Sequence, residues 1–224
     1  KGSLNLIKDK KKWITFVGKL NRAKGYDIFC EAISDVLDKN KKWRAKIIGD
    51  EKREKINLKH NNADLLGFKK HDDVIKIFKE TSIAVVCSRW EEPFGRTSLE
   101  ASANGCAVII TNKGGLPETV TNAKILRNLS VTELKKTLNS LIKNTTLRSS
   151  LQKLSINNFY LTHKFVTGNI DKYREEKLQS VKKFYTFKNK SKLRILHITN
   201  FNERLDGRLF FNTGRRINNG FIRL

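Results

Sequence analysis

The sequence predicts an α/β fold: one doubly wound parallel sheet of about six strands, with a helical tail behind it. Three observations carry this expectation. Short unbroken apolar runs recur along the chain, as in parallel strands covered on both faces. Segments with helical spacing alternate with those runs. Loops bearing glycine and proline stand just past the ends of the runs, where open α/β sheets bind ligands.

Residues 1–12 are polar and basic and read as a linker. Residues 13–17 are the first strand. The loop behind it has glycine at both ends, Gly18 and Gly25, with Lys19, Arg22 and Lys24 between. Tyr26, Phe29, Cys30, Ile33, Val36 and Leu37 then repeat at helical spacing, so 26–37 is an amphipathic helix. Strand, glycine-bounded loop and helix together can cradle a phosphate. The helix start offers free N–H groups and partial positive charge, and Lys19 and Lys24 add full charges. On this loop alone the plainer reading stands beside it: the glycines turn the chain and the lysines are solvated. Residues 43–48 are the second strand, 51–62 a charged excursion, 64–68 a short strand and 72–80 a helix.

The stretch from Ile83 to Glu118 organises the rest. Residues 83–87 are a buried strand, and 88–94 a loop with two carboxylates and one of the chain's two prolines. Residues 95–104 form a helix of small residues, able to lie close to a sheet; 107–111 are another buried strand, and 112–117 a loop with paired glycines and the other proline. Glu92 lies in the first loop and Glu100 on the following helix, so both can face one crevice. Taken singly, Glu92 could be an exposed loop acid and Glu100 a partner for Arg96 one turn earlier. Trp90 is expected to pack under the loop. Residues 123–126 are a last, weak strand, and 131–143 and 147–159 are helices.

The domain so defined covers 13–161. Residues 162–192 read as a terminal helix, with Phe165, Ile170 and Tyr173 as packing residues, running into a lysine-rich linker. Residues 194–199 are a fresh strand, followed by a loop and an amphipathic helix that stops at Leu224. A strand, loop and helix cannot bury a core, so 193–224 reads as the truncated start of a further domain. There is no methionine anywhere, which points to a piece of a longer polypeptide.

Composition bounds the function. The formal net charge of +24 raises nucleic acid or an anionic membrane surface as partners. The lysines are scattered, however, with no single basic stripe, so nucleic acid is disfavoured. Cys30, Cys87 and Cys106 lie inside apolar elements, which suggests buried reduced thiols in a cytoplasmic protein. No signal peptide and no run long enough to span a bilayer is evident. His60, His71, His163 and His197 have no metal-ligand spacing and no carboxylate partner in sequence.

Four motifs occur in order: VGKLNRAKG at 17–25, LLGF at 65–68, EPFGRTSLE at 92–100 and GGLPE at 114–118. Together they resemble the nucleotide-sugar-binding, Rossmann-like C-terminal half of retaining glycosyltransferases of the GT-B fold, in the large glycosyltransferase family 4. The segment from 194 onward resembles the start of the acceptor-binding N-terminal half of such an enzyme, with Gly207 in its donor-facing loop. A tandem of two transferases is the simpler account of that order; a swapped arrangement completing one site is the other.

The resemblance implies a donor-binding glycosyltransferase half that moves sugar from a nucleotide sugar to a glycan or lipid-linked acceptor with retention. It implies that Lys24 and Lys19 contact the diphosphate at the Gly18 loop. The family usually carries arginine at the position of Lys19; lysine lacks its forked geometry, and Arg22 could substitute. Glu92 would accept hydrogen bonds from sugar hydroxyls, which makes Lys24 and Glu92 the catalytic candidates. Backbone N–H groups of Phe94, Gly95 and Arg96 would hold sugar or phosphate, and Glu100 the ribose hydroxyls. The Phe68–Lys69 backbone would meet the base edge. No Asp-x-Asp motif is present, so neither a metal nor another cofactor is needed to explain phosphate binding. Location on the cytoplasmic side, with peripheral contact to an anionic membrane, and a role in polysaccharide biosynthesis follow as expectations. A basic binding module without catalysis is the alternative.

Overall fold

The computed structural model describes residues 7, 8 and 10–180. Packing divides the chain between Asp171 and Lys172, and the sheet lies in the first unit. Its strands are β1 Lys11–Val17, β2 Arg44–Ile48, β3 Ala63–Leu65, β4 Thr81–Val86, β5 Ala107–Thr111 and β6 Ala123–Leu126. All neighbours pair in parallel, in the order β3-β2-β1-β4-β5-β6. The chain winds outward from β1 to β3, returns to set β4 beside β1, and winds outward the other way. The strand order therefore reverses between β1 and β4, and the crevice at such a reversal is where open sheets hold ligands.

Period-two alternation assigns each strand residue to a face. Ile14 and Phe16, Ile83 and Val85, and Ala107 and Ile109 pack with α1 (Tyr26–Lys39) and α4 (Val131–Lys143). Ala84 and Val86, with Val108 and Ile110, pack with α2 (His71–Glu80) and α3 (Arg96–Ala103) on the other side. Helices on both faces leave β4 and β5 buried at every position, which is why these strands read as continuous apolar runs. The buried Thr15 hydroxyl donates to Thr81 Oγ1 at 2.7 Å, and Thr81 donates on to the Ile77 carbonyl at 2.8 Å. Against the sheet, α3 buries only Ser98, Ala101 and Ser102, so its backbone lies close. α5 (Thr145–Asn157) packs on α3, α4 and β5, and α6 (His163–Ser180) follows.

Two expectations change. Residues 1–12 are not all linker. β1 begins at Lys11, and the half-buried Lys10 ammonium donates to the carbonyls of Phe78 at 2.8 Å and Asn104 at 2.6 Å. These carbonyls close α2 and α3, whose negative ends thus share one cation. Burial lowers the Lys10 pKa, against the opposing pull of Cys106. The tail also differs: Phe165, Ile170 and Tyr173 are exposed rather than packed. Phe165 meets Tyr160 edge-on, with ring centroids 5.0 Å apart. Helical spacing marks a face on a helix but supplies no partner for it. The expected strand at 194–199, Gly207, His197 and the basic linker beyond Ser180 lie outside the described residues.

Asp64 shows how polar groups pin the sheet edge. On β3 it accepts from Arg44 Nη2 at 2.5 Å and from Lys46 Nζ at 2.7 Å, both on β2. The Arg44 hydrogen bond and then Lys46, against an upward push from partial burial, hold Asp64 down to about 2. A carboxyl depressed on folding stabilises the fold fully above its unfolded pKa of about 3.9, and that contribution fades as pH falls toward its folded value. Asp64→Asn is therefore expected to lower the melting temperature near pH 6, with the gap from wild type narrowing between pH 5 and pH 3. A gap that stays constant over that range would exclude the ionised carboxylate as the source.

Candidate functional site

The site is built at the reversal between β1 and β4. β1 ends at Val17, and a short 3₁₀ turn, Arg22–Lys24, forms ahead of α1. The buried Asn21 caps that turn, its Oδ1 accepting from the Lys24 N–H at 3.1 Å. Its amide donates to Glu51 at 3.0 Å. Glu51 is itself brought to about 2, chiefly by the backbone N–H of Arg53 and then by the Arg53 side chain and Asn21. Gly25 follows in the left-handed region at φ 71°. A β-carbon there would lie 2.0 Å from the carbonyl oxygen of Cys87, so the first loop presses its backbone directly onto the end of β4.

That contact is reinforced. The Ala23 carbonyl accepts from the backbone N–H groups of Arg89 (2.9 Å) and Trp90 (3.1 Å) and from the Ser88 hydroxyl at 3.2 Å. The Arg89 guanidinium grips Asp27 of α1 with two hydrogen bonds, at 2.6 and 2.8 Å. Burial acts to raise the Asp27 carboxyl, but Arg89 and the Ile28 N–H outweigh it and hold it below the usual carboxylate range. Buried Cys87 is no nucleophile, since burial pushes its thiol up to about 12. Burial likewise takes Cys30 and Cys106 to about 11, and all three are free thiols.

From the other side, the glycine-proline loop holds the loop of Glu92. The Gly115 N–H donates to the Glu92 carbonyl at 2.7 Å, and the Gly114 N–H to Glu91 Oε2 at 2.6 Å. Lys113 pairs with Glu91 at 2.8 Å. Gly114 sits at φ 50°, where a β-carbon would fall 2.3 Å from the Glu92 carbonyl oxygen. The start of α3 is fixed by Ser98, whose hydroxyl bonds to Gly95 O and to Thr119 Oγ1, each at 2.7 Å.

The result is a crevice of about 90 Å³, lined by Phe16, Gly18, Lys24, Ser88, Glu92 and Thr97 among others. Gly95 and Arg96, at the start of α3, also line it. Within it the Lys24 ammonium and the Glu92 carboxylate form an ion pair, the latter 13% exposed. α3 begins there with no side-chain cap and no acidic residue in its first turn. Positive potential and unpaired N–H groups at such a helix start favour an anion.

Five of the sequence candidates thus converge: Gly18, Lys24, Glu92, Gly95 and Arg96. Lys19 instead lines a separate, open hollow with Asp50, Glu51, Lys52 and Arg53. The Arg22 N–H turns to Glu54, at 3.0 Å. Phe68 and Phe94 are exposed, and with Lys69 lie outside the crevice lining. Glu100 is also outside the lining but is joined to it through Arg96, whose Nε donates to it at 2.9 Å. Trp90 does not pack under the loop: the residue is 59% exposed, with its backbone N–H held by Ala23 and Ser88. Ser88 and Thr97 were not anticipated; Ser88 could have been found as the first residue beyond a buried strand. His60 and His71 both find carboxylates, Asp38 at 3.3 Å and Glu100 at 3.0 Å, which separation in sequence concealed. Among the described residues no cluster of His, Cys, Asp and Glu could hold a metal ion.

A model of the family described as "Glycosyl transferases group 1" matches residues 4–157. The chain belongs to this family. An uncharacterized glycosyltransferase of Methanocaldococcus jannaschii is 35% identical over 145 residues, which are 61% of this chain and 40% of that protein. The chain spans about a third of the length of the curated relatives it matches, such as spore coat protein SA of Bacillus subtilis, 28% identical over 132 residues. The C-terminal domain of a glycosyl transferase group 1 family protein (LpcC) from Francisella tularensis superposes with a TM-score of 0.59 at 24% identity, covering 70% of this chain and 88% of that domain. Alr3699/HepE of Anabaena, solved with UDP and also with UDP-glucose, gives a TM-score of 0.63 at 20% identity, covering 80% of this chain and 51% of that one. The six-stranded parallel sheet is that of a GT-B glycosyltransferase domain.

In this group 1 domain the close backbone contacts make a prediction. Gly67→Ala adds a β-carbon at positive φ into open space, so it costs only left-handed strain, about 1–2 kcal/mol. Gly25→Ala and Gly114→Ala add a backbone clash to the same strain, so each should cost distinctly more, about 3 kcal/mol or above. Urea denaturation of the three variants checks this; equal losses would mean the loops are not pressed together as described.

Proposed function

We propose that this chain supplies the donor-binding wall of a glycosyltransferase acting on a nucleotide sugar. The observation that carries the reading is the meeting of Lys24 and Glu92 in one crevice, at the strand reversal and beside the uncapped start of α3. A diphosphate leaving group gathers charge as the glycosidic bond breaks. Groups that bind it more strongly in the transition state than in the ground state accelerate the reaction. Lys24 and the α3 N–H groups would meet that charge. Glu92, acceptor-only when ionised, would take sugar hydroxyls. Glu100 would take the ribose hydroxyls, and the 67–69 backbone the base edge. Transfer with retention, without an enzyme nucleophile and without a metal, belongs to the same proposal.

The crevice volume supports a shared site. About 90 Å³ is well short of the roughly 300–1,000 Å³ of a small-molecule pocket. It gives a foothold for a diphosphate and one sugar edge, while an opposing wall would enclose the remainder. The Anabaena neighbour held UDP-glucose, which makes a uridine nucleotide the first donor to try. The acceptor is proposed as a glycan or a lipid-linked sugar at the cytoplasmic face of a membrane. Among the described residues no helix is long and apolar enough to cross one. A noncatalytic basic module draws less support. Many cations here serve local partners: Lys10 two carbonyls, Lys11 Glu80, Lys46 Asp64 and Lys113 Glu91.

Calorimetry with UDP and with uridine tests the reading. Lys24→Ala is expected to weaken UDP binding by about 1.5–3 kcal/mol, the range for hydrogen bonds to charged groups, and to leave uridine binding almost unchanged. Equal losses for the two ligands would remove Lys24 from the phosphates. ADP and GDP run in parallel establish the base.

A further inference from the structure

We propose that His71 is a positioning residue for Glu100, holding that carboxylate so that one oxygen stays open to the donor's ribose. The inference rests on the reading of Glu100 as the ribose acid. Glu100 lies on α3, its side chain 17% exposed, and its Oε1 receives two donors. Arg96 Nε comes from one turn earlier on the same helix, at 2.9 Å. His71 Nε2 comes from the first residue of α2, at 3.0 Å. No protein donor is assigned to Oε2 among the described residues.

The two donors are not equivalent. The Arg96 side chain is 71% exposed, long and flexible, and an exposed pair one turn apart on a helix is weak and screened. Arg96 also reaches the crevice lining, where an incoming phosphate would compete for it. His71, itself 52% exposed, has only two side-chain torsions and stands on α2, which packs against α3, so its ring approaches the carboxylate from a separate helix. The other ring nitrogen, Nδ1, lies 3.8 Å from the exposed Asp72 carboxylate, too far for a hydrogen bond. With Oε1 held by protein donors, Oε2 is left to accept ribose hydroxyls. A free carboxylate would have to be ordered when ligand binds; this one is ordered beforehand, which saves side-chain entropy on binding.

The test uses the full 224-residue chain. Calorimetric affinities are measured for UDP, ADP and GDP, then for the 2′,3′-dideoxy analogue of the tightest. Wild type, His71→Ala, His71→Gln and Glu100→Ala are compared, with melting temperatures for each. His71→Ala is expected to weaken the ribonucleotide about 3–10-fold, the worth of one ordinary hydrogen bond, and to leave the dideoxy analogue unchanged. His71→Gln, which keeps an N–H donor, should recover most of the loss. Glu100→Ala should abolish discrimination between the two ligands. If Glu100→Ala abolishes it and His71→Ala leaves it at the wild-type ratio, positioning is refuted while the ribose acid stands. A lowered melting temperature with an unaltered ratio has the same meaning: the histidine ties two helices and nothing more. If Glu100→Ala leaves the ratio intact, or no diphosphate binds, the reading of Glu100 fails and takes this inference with it.

Discussion

The site depends on one close contact: the backbone of Gly25 against the carbonyl of Cys87. It joins the loop after β1 to the end of β4, across the point where the strand order reverses. Parallel strands release their C-terminal loops along one edge, but nothing in that rule makes two loops touch. Here a side chain is absent where one would collide, and the neighbouring Ala23 carbonyl receives three donors from residues 88–90. Lys24 stands between these two anchors. Its position relative to Glu92 is therefore set by backbone contacts, and the long flexible side chain has only to span the last few ångströms.

The ion pair these anchors create has a consequence for binding. A cation and an anion half-hidden in a small crevice are costly unless paired, because removing one partner leaves the other desolvated. Without ligand, each satisfies the other. On the proposed reading, a diphosphate takes over Lys24 and sugar hydroxyls take over Glu92, so neither charge is stranded in either state. On that proposal the paired acid and base are a resting arrangement, and ligand binding would be an exchange of partners with little net loss of charge compensation.

Much of this was legible in the sequence, and the failures share a cause. The bounds of β5, β6 and α4 emerge as expected, since apolar runs and helical spacing are local signals that tertiary packing amplified. Gly18, Lys24, Glu92, Gly95 and Arg96 meet because their loops leave strand ends of a parallel sheet, which the alternation implied, at a reversal that only the strand order reveals. What stayed hidden were polar contacts between distant segments. Lys10 reads as one of several linker lysines until the ends of α2 and α3, 68 and 94 residues away, are brought to it. His71 stands beside Asp72 in sequence, but its contact with Glu100 forms only where α3 packs beside α2. Lys19 and Lys24 look equivalent as loop cations, yet only Lys24 is followed by the glycine that lets its backbone reach β4. The apolar residues of α6 mislead for the opposite reason: apolar character alone suggested packing, yet Phe165, Ile170 and Tyr173 are exposed among the described residues.

Lys10 and the crevice, though at opposite ends of α3, belong to one electrostatic arrangement. The helix carries partial negative charge at its C-terminal end and partial positive charge at its start. At the far end, Lys10 meets the Asn104 carbonyl, and the Asn104 N–H caps the chain against Glu100 and Ser102, so that pole is neutralised inside the protein. At the near end there is no side-chain cap and no acidic residue in the first turn. The buried Ser98 hydroxyl is spent on Gly95 and Thr119 instead. One pole is thus compensated and the other left open toward the crevice. An ordinary surface helix of this length would gain stability from an Asp, Ser or Asn at its start. This one forgoes that gain where Gly95 and Arg96 line the site, which is what a helix held ready for an anionic ligand requires.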